Sequence, residues 1–244
     1  MSDVALAAHL AQTAGKLLLT VRGSGVFSRK ALGKAGDQIA NQFLVHALRE
    51  MRPDDGLLSE EMQCDGSRMA QSRVWIVDPL DGTREYSEGR PDWAVHVALA
   101  IDGAACVGAV ALPELGLTLD SQTSLRPVAS GGALRMLVSR TRPAPQAVAV
   151  AEAMGAELVA MGSAGAKAMA VVRGEAEIYL HTGGQYEWDN CAPAAVAQAA
   201  GLHVSRADGS PLSYNNADPY LPDLLICRPE LAETVLRHYN SLAA

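Results

Sequence analysis

Apolar residues recur at helical spacing at the start of the chain. Val4, Leu6, Leu10, Ala14, Leu17, Leu18 and Val21 share one face, and Gly23 follows as a stop. A second stripe, Ile39, Ala40, Phe43, Leu44, Ala47, Leu48 and Met51, predicts a helix opening at Asp37 and ending before Pro53. Short continuous apolar runs come next. Residues 57–58 and 74–77 read as buried strands, each running directly into acidic residues. Segments 93–101 and 105–112 flank Asp102-Gly103, a hairpin signal, and 117–120 and 136–138 read as further strands.

After Pro143-Ala144-Pro145 the pattern alternates: helix 146–154, strand 157–161, helix 164–173, strand 176–181, helix 190–200. Gly174 and Gly201 act as stop residues. Asp208-Gly209 predicts another hairpin, 224–227 a strand, and 229–242 a closing helix with proline in its first turn. The fold class is therefore α/β (α+β), in two halves, 1–130 and 131–244. Acidic candidates lie in both, which predicts an active site in the cleft between them.

Composition narrows the function. Of 244 residues, 49% are hydrophobic, enough for a sizeable core. The formal net charge of −7 argues against nucleic acid or an anionic membrane as partner. It also disfavours a phosphorylated substrate unless bound cations reverse the local sign. Cys64, Cys106, Cys191 and Cys227 form no CxxC pair and no zinc spacing, which predicts reduced thiols and a cytoplasmic protein. The N-terminus has no basic region, and His9, Gln12 and Lys16 interrupt its apolar residues in helical rhythm. A folded helix is expected there, not a signal peptide. No run approaches the ~20 apolar residues of a membrane span.

Three carboxylate segments carry the chemistry: Glu60-Glu61, Asp78-Pro79-Leu80-Asp81-Gly82-Thr83, and Trp188-Asp189. Each sits where a strand pattern meets a turn or helix start, and clustered oxygens suit hard ions such as Mg²⁺. Taken singly, each has a plainer reading. Asp-Pro and Asp-Gly are ordinary turn formers, paired glutamates are usually solvated, and Asp189 fits as N-cap of helix 190–200. Asp37 likewise reads as a cap. An EF-hand loop fails, since its positions 1, 3 and 5 would be Asp78, Leu80 and Gly82. An Asp-x-Asp phosphatase turn fits poorly, because two residues separate Asp78 from Asp81.

Together the segments resemble the inositol monophosphatase superfamily of Mg²⁺-dependent, lithium-sensitive phosphatases. The pattern reads Asp37, Glu60-Glu61, Asp78-Pro79-Leu80-Asp81-Gly82-Thr83 and Trp188-Asp189-Asn190-Cys191-Ala192, across essentially the whole chain. The resemblance implies a layered α-β-α-β-α sandwich of two subdomains, a homodimer, and two to three Mg²⁺ ions. It implies that Glu60, Asp78 and the Leu80 carbonyl hold one ion, and that Asp78, Asp81 and Asp189 hold a second. A third, weaker ion leans on Glu60. Thr83, supported by Asp37, orients the attacking water, and the Gly82 and Thr83 amides take phosphate oxygens.

Within the superfamily, Arg84-Glu85-Tyr86 resembles the Lys-Glu-Phe of the CysQ-type 3′(2′),5′-bisphosphate nucleotidases. Thr182 stands where the inositol branch carries a glutamate. Ser139-Arg140 and the Gly162–Lys167 segment, with Ser163 and Lys167, resemble that branch's phosphate-contacting segments; solvated surface charge is the plainer reading of Arg140 and Lys167. The substrate expected is 3′-phosphoadenosine 5′-phosphate and its 5′-phosphosulfate form, in sulfur assimilation. Inositol 1-phosphate or fructose 1,6-bisphosphate is the alternative. An inactive metal-binding regulator is the remote one, since every motif carboxylate is present.

Overall fold

A computed structural model of the chain describes residues 1–63, 66–122 and 132–242. Helix α1 (Asp3–Gly23) begins at Ser2, whose hydroxyl accepts the Ala5 amide at 3.3 Å. By length and composition alone α1 could cross a membrane. In the fold its Leu6, Leu10, Ala14 and Leu18 stripe is buried instead.

Helix α2 (Arg29–Met51) corrects the predicted start at Asp37. It begins after the extended Ser28, about two turns earlier. Gly33 and Gly36 permit close approach within it. A Cβ at Gly33 would lie 2.8 Å from the Thr83 side chain, and one at Gly36 3.0 Å from Leu80 and Tyr86. Asp37 is therefore a mid-helix residue next to the Asp78–Thr83 segment, not a cap.

The first sheet has the order β1 (Gly56–Ser59), β2 (Arg73–Asp81), β3 (Ala94–Ile101), β4 (Ala104–Leu112), β5 (Leu117–Asp120). The β1–β2 pair is parallel and the rest antiparallel. Asp102 and Gly103 turn the β3–β4 hairpin with φ of 49° and 80°, as expected for a two-residue primed turn. Short helix α3 (Thr83–Ser87) follows β2.

The second half contains β6 (Arg135–Ser139), α4 (Pro145–Met154), β7 (Glu157–Met161), α5 (Ala164–Val172), β8 (Ile178–His181), β9 (Gln185–Tyr186) and α6 (Glu187–Ala199). β10 (His203–Ser205), β11 (Tyr220–Leu221), β12 (Leu224–Cys227) and α7 (Ala232–Ser241) complete it. Its mixed sheet runs β10-β12-β8-β6-β7, and β9 pairs with β11. Asp208-Gly209 makes a turn, with Gly209 N donating to Arg206 O at 3.0 Å, but not the predicted hairpin. The partner of β10 is β12. Arg206 N donates to Ser210 O at 2.8 Å and closes the turn, but no strand follows it directly, and an Arg206–Asp223 ion pair at 2.7 Å ties β10 to β12.

Three apolar cores separate the layers. α1 and α2 cover the outer face of the first sheet, α5 and α6 fill the space between the sheets, and α4 and α7 cover the far face of the second. This is the α-β-α-β-α order. Position 130, the expected division between the halves, lies outside the described residues, as does Cys64. Among the described residues Cys106, Cys191 and Cys227 are free thiols.

Candidate active site

Asp78 pairs with His96 across the β2–β3 ladder, whereas Asp81 pairs with Ala94. Three steps on β2 thus match two on β3, a β-bulge. Residues three apart on a regular strand face opposite sides; the extra residue brings both aspartates to one side. Pro79 occupies the bulge, where its missing N–H costs no ladder bond. Gly82 then turns left-handed (φ 90°) into α3.

Asp189 comes from the other half. It sits three residues after Tyr186, the N-cap of α6, and accepts the Tyr186 amide at 2.6 Å. The helix starts at Glu187, so Asp189 is the reciprocal member of a capping box and not the N-cap of helix 190–200. One oxygen each from Asp78, Asp81 and Asp189 lie within 4.8 Å of one another.

Burial, then repulsion from Glu60, Asp81 and Asp189, drives the Asp78 carboxyl well above the usual range. Burial and Asp81 push Asp189 to about 6. Glu60 is exposed overall, but its carboxyl end meets the acidic group. Burial there and repulsion from Asp189 and Asp37 push it to about 7. Glu60 stands outside the tight group of three. Burial and Glu61 raise Asp37 to about 7 as well. The Thr83 hydroxyl is 3.3 Å from Asp37 Oδ1 and 3.2 Å from the Leu80 carbonyl.

Asp81 behaves differently. Burial alone would raise it, but His96, the Ser163 hydroxyl and the Gly165 amide outweigh that and bring it down to about 2. Its carboxylate accepts the Ser163 hydroxyl, the Ala164 amide at 3.1 Å and the Gly165 amide at 2.6 Å, so it sits on the start of α5. His96 is fully buried; its Nδ1 donates to the Trp188 carbonyl at 3.0 Å. Its Nε2 makes an ion-pair contact with Asp81 at 3.1 Å, off the alignment of a true hydrogen bond. Sequence reasoning passed over His96. The only signal was one imidazole in the otherwise apolar run 94–101.

The phosphate-contacting candidates surround a cavity of about 260 Å³ that includes Gly82, Thr83, Arg84, Ser139, Arg140, Arg142, Ser163 and Lys167. Arg140 bonds Glu85 at 2.8 Å and Glu88 at 2.9 Å, joining the two halves at the cavity wall. Lys167 is buried, not a surface charge. Its ammonium donates to the Ser163 carbonyl at 2.5 Å and the Gly162 carbonyl at 3.3 Å, and burial lowers it to about 8. These bonds brace a turn in which Ser163 takes φ 54°, a costly conformation for a residue other than glycine. Thr182 donates to Gln146 at 3.1 Å. A larger cavity of about 570 Å³, along residues 49–71, contains none of the site residues.

The donor set fits a divalent cation. Crowded buried carboxylates with raised proton affinity are what a hard, oxygen-seeking ion relieves. The model of the inositol monophosphatase family matches residues 3–242. The chain belongs to that family. It is a phosphoric monoester hydrolase that uses a divalent metal.

Among relatives in the family, the 3′-phosphoadenosine 5′-phosphate phosphatase of Mycobacterium leprae is 50% identical over 251 aligned positions, covering 97% of this chain and 93% of the relative. The 3′(2′),5′-bisphosphate nucleotidase CysQ of Escherichia coli K12 is 30% identical, over 77% of this chain and 81% of its own. The crystal structure of CysQ from Bacteroides thetaiotaomicron superposes with a TM-score of 0.81 at 24% identity, covering 92% of this chain and 96% of that one. That likeness speaks to the family's fold alone.

Proposed function

We propose that this chain removes the 3′-phosphate of 3′-phosphoadenosine 5′-phosphate, and of its 5′-phosphosulfate form, with Mg²⁺. One juxtaposition carries the reading: the acidic group adjoins a cavity lined by Arg84, Arg140, Arg142 and Lys167, suited to a second anionic group on the substrate. The 50% identity to a phosphatase named for this nucleotide supports it. Thr182 points the same way, because its hydroxyl is held by Gln146 and it offers no carboxylate for polyol hydroxyls.

Glu60, Asp78, Asp81 and Asp189, with the Leu80 carbonyl, would hold two to three Mg²⁺ ions. When bound, these supply Lewis-acid stabilisation of the phosphoryl oxygens and the departing oxygen. The protein's own groups place the water. The Thr83 hydroxyl orients it, and its proton passes through Thr83 to Asp37, which burial makes basic enough to receive it near neutrality. The water oxygen ends on phosphorus as the bond to the 3′ oxygen breaks. Gly82 and Thr83 amides take phosphate oxygens, and Ser139, Arg140, Ser163 and Lys167 bound the seat of the substrate's second anionic group.

We place the enzyme in the cytoplasm, as a homodimer acting in sulfur assimilation. The free thiols support a reducing compartment. The decisive experiment is phosphate release from the bisphosphate nucleotide, inositol 1-phosphate and fructose 1,6-bisphosphate, side by side, with Mg²⁺ and with a chelator. The nucleotide is expected to show the highest kcat/KM. A higher value for either other substrate would sink the reading.

A further inference from the structure

Three aromatic rings stand together beside Asp189. Tyr186 and Tyr220 face each other directly in the β9–β11 pair, which puts both side chains on one face of that ribbon. The Tyr186 ring stacks on Trp188 with centroids 4.7 Å apart and planes 9° from parallel. It meets Tyr220 nearly edge to face, at 5.9 Å and 80°. Such an arrangement normally belongs in a core, yet Tyr186 is 45% exposed and Tyr220 48%. Exposed aromatic surface of this kind is characteristic of interaction sites.

Two backbone contacts fix the group to the catalytic carboxylates. The Tyr186 amide donates to Asp189 at 2.6 Å, and the Trp188 carbonyl accepts from His96, which touches Asp81. The ribbon is shaped to hold Tyr220. Gly184 turns left-handed (φ 81°) beneath it, where a Cβ would lie 2.5 Å from the phenol oxygen.

We propose that Tyr186 and Tyr220 form the seat of the substrate's purine base, which stacks there while the phosphates lie toward the carboxylates. This assignment rests on the nucleotide reading above. Base–aromatic stacking needs only a flat exposed ring, and two rings at right angles offer both a face and an edge. The metal site, with the Gly82 and Thr83 amides, would recognise phosphate alone. The tyrosines add recognition of what the phosphate is attached to, so they set specificity and take no part in bond breaking.

The test compares wild type, Y186A, Y220A, Y186F and Y220F, measuring KM for 3′-phosphoadenosine 5′-phosphate and Ki for inorganic phosphate as product inhibitor. Wild-type turnover of the nucleotide decides the substrate reading; the variants decide the seat. Each alanine variant is expected to raise the ratio of KM to Ki roughly 5- to 100-fold, the range that stacking one base supplies. The phenylalanine variants keep the ring and should stay well below the alanine values. Equal changes in both constants, no change in either, or phenylalanine variants as impaired as alanine ones would overturn the proposal. A dimer lost in Y220A by light scattering, with KM unmoved, would assign the patch to a subunit contact and equally overturn it.

Discussion

His96 Nε2 stands 3.1 Å from Asp81 Oδ2, and the same ring's Nδ1 donates to the Trp188 carbonyl one residue before Asp189. A single buried imidazole thus links the carboxylate of the first half to the helix start that carries the carboxylate of the second. Replacing it with leucine leaves a buried carboxylate short of one partner and unfixes the Asp81–Asp189 spacing. H96L is expected to weaken Mn²⁺ binding, followed by electron paramagnetic resonance titration, about 10- to 100-fold. Unchanged Mn²⁺ affinity would show that His96 only fills space.

Gly165 makes room for that ring. A Cβ there would lie 2.0 Å from His96 Nε2, a distance no packing tolerates. G165A should cost about 1–3 kcal/mol of stability, the usual penalty of overpacking. Because the clash is with one side chain, H96A/G165A should be less destabilised than the two single changes summed. Denaturant melts of the four proteins measure this; simple additivity would count against a direct clash.

The order of elements and the acidic motifs were legible because each rests on local pattern: helical stripes, a two-residue hairpin turn, carboxylates at strand ends. What escaped depended on contacts distant in sequence. Asp37 read as a cap, but α2 starts at Arg29, with Gly33 and Gly36 packed against Thr83, Leu80 and Tyr86, so Asp37 is mid-helix. The spacing of Asp78 and Asp81 looked wrong for one face until the ladder showed the bulge. The link made by His96 exists only once β3 meets the starts of α5 and α6.

Lys167 offers a separable test, because its donors go to the carbonyls of the turn carrying Ser163. K167M should lower stability along with substrate affinity. Burial depresses its pKa to about 8 from the ordinary lysine value of 10.5, so between those limits the unfolded chain binds more protons. Stability from this group therefore rises with pH across that window. In K167M that rise should vanish, as thermal melts across the window would reveal; an unaltered profile would refute a buried ammonium.

The acidic group predicts the opposite slope. Glu60 is raised from 4.5 to about 7 and Asp189 from 3.8 to about 6, and Asp78 is also raised well above the usual range. Over the span from roughly pH 4 to 7 the metal-free folded state holds more protons than the unfolded chain, so stability falls as pH rises. Mg²⁺ needs these carboxylates ionised and offsets their repulsion, binding the folded state by preference. Saturating Mg²⁺ should therefore raise the Tm clearly at about pH 8 and little at about pH 5, where protons already quiet the site. D189N removes one of the repelling charges, so without metal it should lie above wild type at the higher pH and gain less from Mg²⁺. Scanning calorimetry with Mg²⁺ or chelator at both pH values measures all four terms. A Mg²⁺ shift independent of pH would mean that these carboxylates do not share one ion site.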